Sequence, residues 1–180
     1  MADTHVYLNN TNAIDRLKGA LSAYQNVGEI DFPAFGGDII LQTANAVGKT
    51  ATEIPTGYYN YDVYDGVLDI IDDYFPTTEK LFTMGNHEFP SGGNDTVIAK
   101  EGIDLFEQYF NEGNLVKTVK DYTFIAARPD GYNNVMSAET ENWVMEQADA
   151  AIAKNSTKPV FLLIHQPIDS TVVGSNGAGK

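Results

Sequence analysis

The chain has 180 residues, 43% of them hydrophobic and none of them cysteine. That suits one domain with an ordinary core and excludes a disulfide framework, a thiolate metal site and a cysteine nucleophile. Twenty-five acidic against eleven basic side chains leave a net charge of −14, which argues against non-specific nucleic-acid binding and means that a phosphorylated substrate would need bound cations to reverse the local sign.

Helix-period stretches alternate with short apolar runs, the signature of an α/β layered fold. A first helix is expected from Thr11 or Asn12, with Ile14, Leu17, Leu21 and Tyr24 on one face. Ile30 to Phe35 reads as a buried strand ending in Gly36-Gly37-Asp38, and 42–60 as an excursion loop. A second helix spans about Tyr61 to Tyr74, burying Tyr64, Val67, Leu68, Ile71 and Tyr74, and stops before Pro76. Lys80 to Met84 is the next strand and runs into Gly85-Asn86-His87-Glu88. After a loop at Pro90 to Asp95, a helix is expected over 96–110, then short strands at Val116 to Val119 and Tyr122 to Ala126. Ser137 caps a helix to about Lys154 that buries Trp143, Val144, Ala148 and Ile152. Pro159 to Ile164 reads as a strand covered on both faces, followed by His165-Gln166-Pro167. The longest apolar run, Val160 to Ile164, is far short of the ~20 residues of a membrane-spanning helix. No signal peptide is expected, because Met1-Ala2 leads at once into Asp3. The compartment stays open, although a cysteine-free, acidic, Asn- and Tyr-rich composition suits an exported bacterial protein.

Each of three expected strands ends at a polar cluster: Gly-Gly-Asp38, Gly-Asn86-His87-Glu88 and His165-Gln-Pro. Ligands of open α/β sheets bind beyond the carboxyl ends of the strands, so parallel neighbours would bring these clusters together. Two of the three histidines lie there, and His5 follows Asp3 at the start. Aspartate, asparagine and neutral imidazole suit manganese, iron or zinc, and a carboxylate can bridge two such ions at ~3.5–4 Å, where they clamp a phosphate and ionise a water.

Asp3-x-His5, Gly37-Asp38, Gly85-Asn86-His87-Glu88 and His165 after an apolar strand, in that order, resemble the motifs of the calcineurin-like metallophosphoesterases. The tryptophan-bearing helix 137–154 and the Lys-Pro-Val-Phe-Leu-Leu-Ile-His-Gln-Pro run after it are also similar to that family. The resemblance covers nearly the whole chain and implies a single α/β/β/α sandwich domain over 1–180 that hydrolyses a phosphomonoester or small phosphodiester by attack of a metal-bridging hydroxide. It also implies two divalent transition metals, manganese, iron or zinc. By that resemblance Asp3 and His5 would ligate the first ion, Asp38 would bridge, and Asn86 and His165 would ligate the second. His87 would stay off the metals near the scissile ester, where it could protonate the leaving oxygen or steady the transition state, and Glu88 would orient a ligand from behind.

The family's initial strand and its closing Gly-His-x-His motif are missing, so the chain reads as a truncated piece of a longer enzyme, itself possessing sheet edges through which it could self-associate. The alternative is a non-catalytic binding or scaffold module that keeps the fold; a nuclease is disfavoured by the charge. Tyr58, Tyr59, Tyr61 and Tyr64 could form an aromatic platform or lie half in the core. Gly174-x-x-x-x-Gly179-Lys180 matches most of a phosphate-binding loop but lacks its final Ser/Thr.

Overall fold

A computed structural model describes residues 1–6, 11–40, 61–89, 96–131 and 135–167. It is a mixed α/β fold of four helices and two small sheets: α1 (Thr11–Gln25), β1 (Ala34–Gly36), α2 (Tyr61–Tyr74), β2 (Leu81–Thr83), α3 (Thr96–Tyr109), β3 (Leu115–Val119), β4 (Tyr122–Ala126), α4 (Ala138–Lys154) and β5 (Val160–Leu163). The expected loop at 42–60, Tyr58 and Tyr59, and the glycine-rich tail lie outside the described residues. No described helix is long and apolar enough to cross a membrane.

The first sheet pairs β1 with β2 in parallel, Phe35 opposite Phe82. β1 starts four residues later than the apolar run suggests because Pro33 has no N–H to give to a ladder; its carbonyl still accepts from the Leu81 amide at 3.0 Å. The first six residues run alongside. The Asp3, His5 and Val6 amides donate to the Gly37, Asp38 and Ile39 carbonyls at 3.0, 3.0 and 2.9 Å, and Val6 forms a parallel bridge with Ile40. On the other side of this sheet, the Asn111 side chain copies a peptide: its Oδ1 accepts from the Phe82 amide at 2.8 Å and its Nδ2 donates to the Phe82 carbonyl at 3.0 Å.

α1, α2 and α3 close over this sheet through Leu17, Leu21, Tyr64, Val67, Ile71, Leu105 and Phe106. Phe35 stacks on Phe82 at 4.8 Å, and Tyr64 on Tyr109 at 5.0 Å. Tyr64 is fully buried; it belongs to the core and not to an aromatic platform. Tyr24 is exposed although it shares a helix with Leu17 and Leu21.

The second sheet has the order β3-β4-β5. β3 and β4 form an antiparallel hairpin whose two turn residues, Lys120 and Asp121, both have positive φ (47° and 69°), as a twist-matched two-residue turn requires. β5 returns parallel to β4 after α4. The Ser137 side chain caps α4 by accepting from the Thr140 amide at 3.2 Å, and acidic Glu139 and Glu141 sit in the first turn with Lys154 in the last, matching the helix dipole. Two burial expectations fail here. Phe161 and Leu162 of β5 are 42% and 43% exposed, and of the α4 residues expected inside, Trp143, Val144 and Ala148 are half-buried and Ile152 is 50% exposed. Among the described residues β5 is the outer strand of its sheet, and an all-apolar run reads the same for an outer strand as for a central one.

Candidate metal centre

The polar residues that follow β1, β2 and β5 meet at one end of the two sheets. Gly37 and Asp38 turn the chain after β1 with φ of 85° and 50°. Asp3 and His5, hydrogen-bonded beside them, also have positive φ (54° and 46°). Left-handed backbone is disfavoured for residues with a Cβ, by about 1–2 kcal/mol, and it tends to persist where function holds it. Among the described residues the other non-glycine cases are the two in the β3–β4 turn, where hairpin geometry accounts for them.

Asp38 is the hub. It is only 3% exposed. Its Oδ1 accepts from the His87 amide at 2.9 Å. Its Oδ2 lies 3.1 Å from His165 Nε2, 3.5 Å from His5 Nε2 and 3.9 Å from His87 Nε2. His165 Nδ1 donates to the Gly36 carbonyl at 2.9 Å, which turns Nε2 toward the carboxylate; a histidine ligand is commonly oriented through its other nitrogen in this way. The rings of His5 and His87 meet edge-on, with centroids 4.6 Å apart.

Two glycines make this approach possible. A Cβ on Gly37 would lie 2.7 Å from His165 Nδ1 and 2.9 Å from the Gly85 amide nitrogen. A Cβ on Gly85 would overlap Asp38 Oδ1 and lie 2.6 Å from the Asp38 amide nitrogen. Glu88, completely buried, ties the two loops together. Its Oε2 accepts from the Asp38 and Gly85 amides at 3.0 and 2.7 Å, and its Oε1 from Ile39 and Ile40 at 2.7 and 3.3 Å. Burial, and after it the Asp38 charge, push Glu88 up to about 7 against the pull of these amides. Asn86 is half-buried and is held from both sides, by the Gly85 amide on Glu88 and the His87 amide on Asp38.

Burial works against charge on Asp38 and His165 alike, but their mutual hydrogen bond and attraction win. Asp38 is held below the usual aspartate range with help from the His87 amide, and His165 is raised to about 9 with help from the Gly36 carbonyl and Asp3.

Asp38 belongs to two groups whose potential ligand atoms lie within 4.8 Å of one another: His5, Asp38 and His87; and Asp3, Asp38 and His165. Bonds of ~2.0–2.2 Å allow ligands around one ion to stand up to about 4.4 Å apart, so a small inward adjustment suffices, and this oxygen-and-imidazole set fits manganese, iron or zinc. His87, read as standing off the metals, shares one triad with His5, and Asp3 shares the other with His165; the expected pair is also close, with His5 Nε2 3.7 Å from Asp3 Oδ1. Asp38 and His165 form the buried floor, whereas the Asp3 side chain is 62% exposed and those of His5 and His87 are partly so, leaving an open mouth. Two other cavities lie elsewhere: an apolar one of about 400 Å³ at the start of β1, and one of about 230 Å³ between the β3–β4 turn and the end of α4.

What the linear reading did not reveal is the backbone: the left-handed Asp3 and His5, and the Thr4 hydroxyl that donates to the Ile39 carbonyl at 2.7 Å between them. No protein-family model matches the chain, and no curated protein matches it.

In Glu88→Gln an amide NH₂ must face backbone N–H donors. The substitution is expected to lose about 2–4 kcal/mol of stability in denaturant unfolding and to weaken Mn²⁺ binding about 10–100-fold in titration calorimetry. Unchanged binding would contradict the bridging role. A metal must also displace the proton from His165 Nε2. Because His165 titrates at about 9 in the metal-free protein, Mn²⁺ affinity should rise with pH from 6 to 9, by up to about tenfold per unit, and uptake at pH 7 should release a proton. A flat profile would contradict ligation by His165.

Proposed function

We propose that this chain forms the catalytic core of a two-metal phosphoesterase that acts on a phosphomonoester or small phosphodiester, within a domain of the α/β/β/α sandwich type. The observation that carries the proposal is the sharing of one buried carboxylate, Asp38, by two ligand triads drawn from three separate chain segments. The apolar, half-exposed β5 supports a larger layered domain in which more chain packs on the second sheet.

Asp3, His5, Asp38, His165 and the adjacent Asn86 would hold the ions, with His87 close enough to join them or to act beside them. Two divalent cations held there would supply positive charge to a phosphoryl group and acidity to a water molecule. Asp38 keeps both triads in one frame, and Glu88 keeps the two loops from separating. Hydrolysis forms a bond from a water oxygen to phosphorus and breaks the bond from phosphorus to the ester oxygen. His87, at the open side, would give a proton to that departing oxygen. The −14 net charge favours a small substrate drawn in by local cations over a polynucleotide.

With Mn²⁺ the protein is expected to hydrolyse p-nitrophenyl phosphate or its bis ester, with Asp38→Ala abolishing turnover and His87→Ala lowering kcat about 10²–10⁴-fold. The His87 loss should be greater for an alkyl ester, whose leaving oxygen needs the proton more. Tight metal uptake without turnover on a broad ester panel would favour the non-catalytic binding module.

A further inference from the structure

We infer that Thr4 is the positioning residue for His5: its hydroxyl fixes where that imidazole stands against Asp38. The inference rests on the two-metal reading and deepens it, by giving control of one ion's ligand to a residue outside both triads.

Two histidines of the site are held in different ways. His165 Nδ1 donates to the Gly36 carbonyl at 2.9 Å while its Nε2 lies 3.1 Å from Asp38 Oδ2, and the side chain is 5% exposed. His5 has no such support. Its side chain is 33% exposed, its Nε2 stands 3.5 Å from Asp38 Oδ2 and 3.7 Å from Asp3 Oδ1, and among the described residues its Nδ1 makes no hydrogen bond. A metal-binding histidine is ordinarily oriented through that second nitrogen. The edge-on contact with the His87 ring, centroids 4.6 Å apart, restricts the tilt of the imidazole but leaves its position to the backbone.

That backbone is left-handed, with φ of 46°, a conformation that a residue with a Cβ leaves unless it is held. Three bonds hold it. The His5 amide donates to the Asp38 carbonyl at 3.0 Å. On one side of His5 the Val6 amide donates to the Ile39 carbonyl at 2.9 Å, and on the other the Thr4 hydroxyl donates to the same oxygen at 2.7 Å. A carbonyl oxygen has two lone pairs and can accept both. The chain is therefore pinned to one atom before and after His5, and it must curl around that residue. The amides of Asp3, His5 and Val6 serve Gly37, Asp38 and Ile39 in turn; the Thr4 amide is passed over, and its side chain acts instead.

The hydroxyl can be removed without orphaning its acceptor, because the Ile39 carbonyl keeps the Val6 amide. What is lost is the tie ahead of His5. A residue that served only the fold would show the reverse, a loss of stability that the ligand geometry does not register.

The test compares wild type, Thr4→Val, which keeps the shape without the hydroxyl, and Thr4→Ser, which keeps the hydroxyl. In Mn²⁺ titration calorimetry Thr4→Val should weaken one of the two binding steps about 10–100-fold and leave the other unchanged, and Thr4→Ser should restore it. The chain has three histidines, so each imidazole can be followed by NMR in the metal-free protein. Thr4→Val should move the His5 and His87 resonances and leave those of His165 in place. Two unchanged Mn²⁺ steps, both steps weakened alike, a loss that tracks a lowered thermal midpoint, or no recovery in Thr4→Ser would each overturn the inference. If wild type takes up no Mn²⁺, the two-metal reading fails, and the imidazole resonances still decide the role of Thr4: it stands if Thr4→Val moves His5 and Thr4→Ser does not, and falls otherwise.

Discussion

Burying the Asp38 carboxylate costs several kcal/mol unless opposite charge and hydrogen bonds meet it, and that requirement organises the end of the fold where β1, β2 and β5 finish. The chain meets it with the His87 amide on one oxygen and His165 against the other. His165 in turn needs the Gly36 carbonyl behind it. Each of these partners comes from a different segment, so the site exists only when the segments are docked. A second carboxylate, Glu88, is buried behind the Asp38 amide and meets four backbone amides.

The same arrangement links folding to chemistry. Tight approach of the β1 and β2 loops requires Gly37 and Gly85, since any Cβ there would strike His165 or Asp38. Left-handed backbone at Asp3, His5 and Asp38 is strain that the neighbouring hydrogen bonds hold in place. Aromatic packing of Phe35 on Phe82 keeps the two strands in register beneath, so the ligand loops inherit a rigid base. The second sheet contributes differently: β5, paired in parallel with β4, leads into His165.

Much of this was legible from the order of residues. Periodic apolar spacing locates α2 and α4, and the short strand expected at Tyr122 to Ala126 is β4. The candidate ligands were visible because each follows an apolar strand, and the structure brings Asp38, His5, His87, His165 and Asp3 together. The left-handed backbone at Asp3, His5 and Asp38 was not legible, because spacing does not encode backbone dihedrals. Nor was the exposure of Phe161, Leu162 and Ile152: hydrophobicity records what a segment could bury, and neighbours decide what it does bury. Tyr64 shows the converse, an aromatic among tyrosines that packing against Tyr109 places wholly inside.

The proposed function turns on one carboxylate, Asp38, serving two cations at once. Electron paramagnetic resonance of the protein titrated with Mn²⁺ tests it most directly. An exchange-coupled pair that forms at two Mn²⁺ per chain and disappears in Asp38→Asn is the predicted result. An uncoupled six-line spectrum at every ratio, or no protein-bound Mn²⁺, would contradict the account.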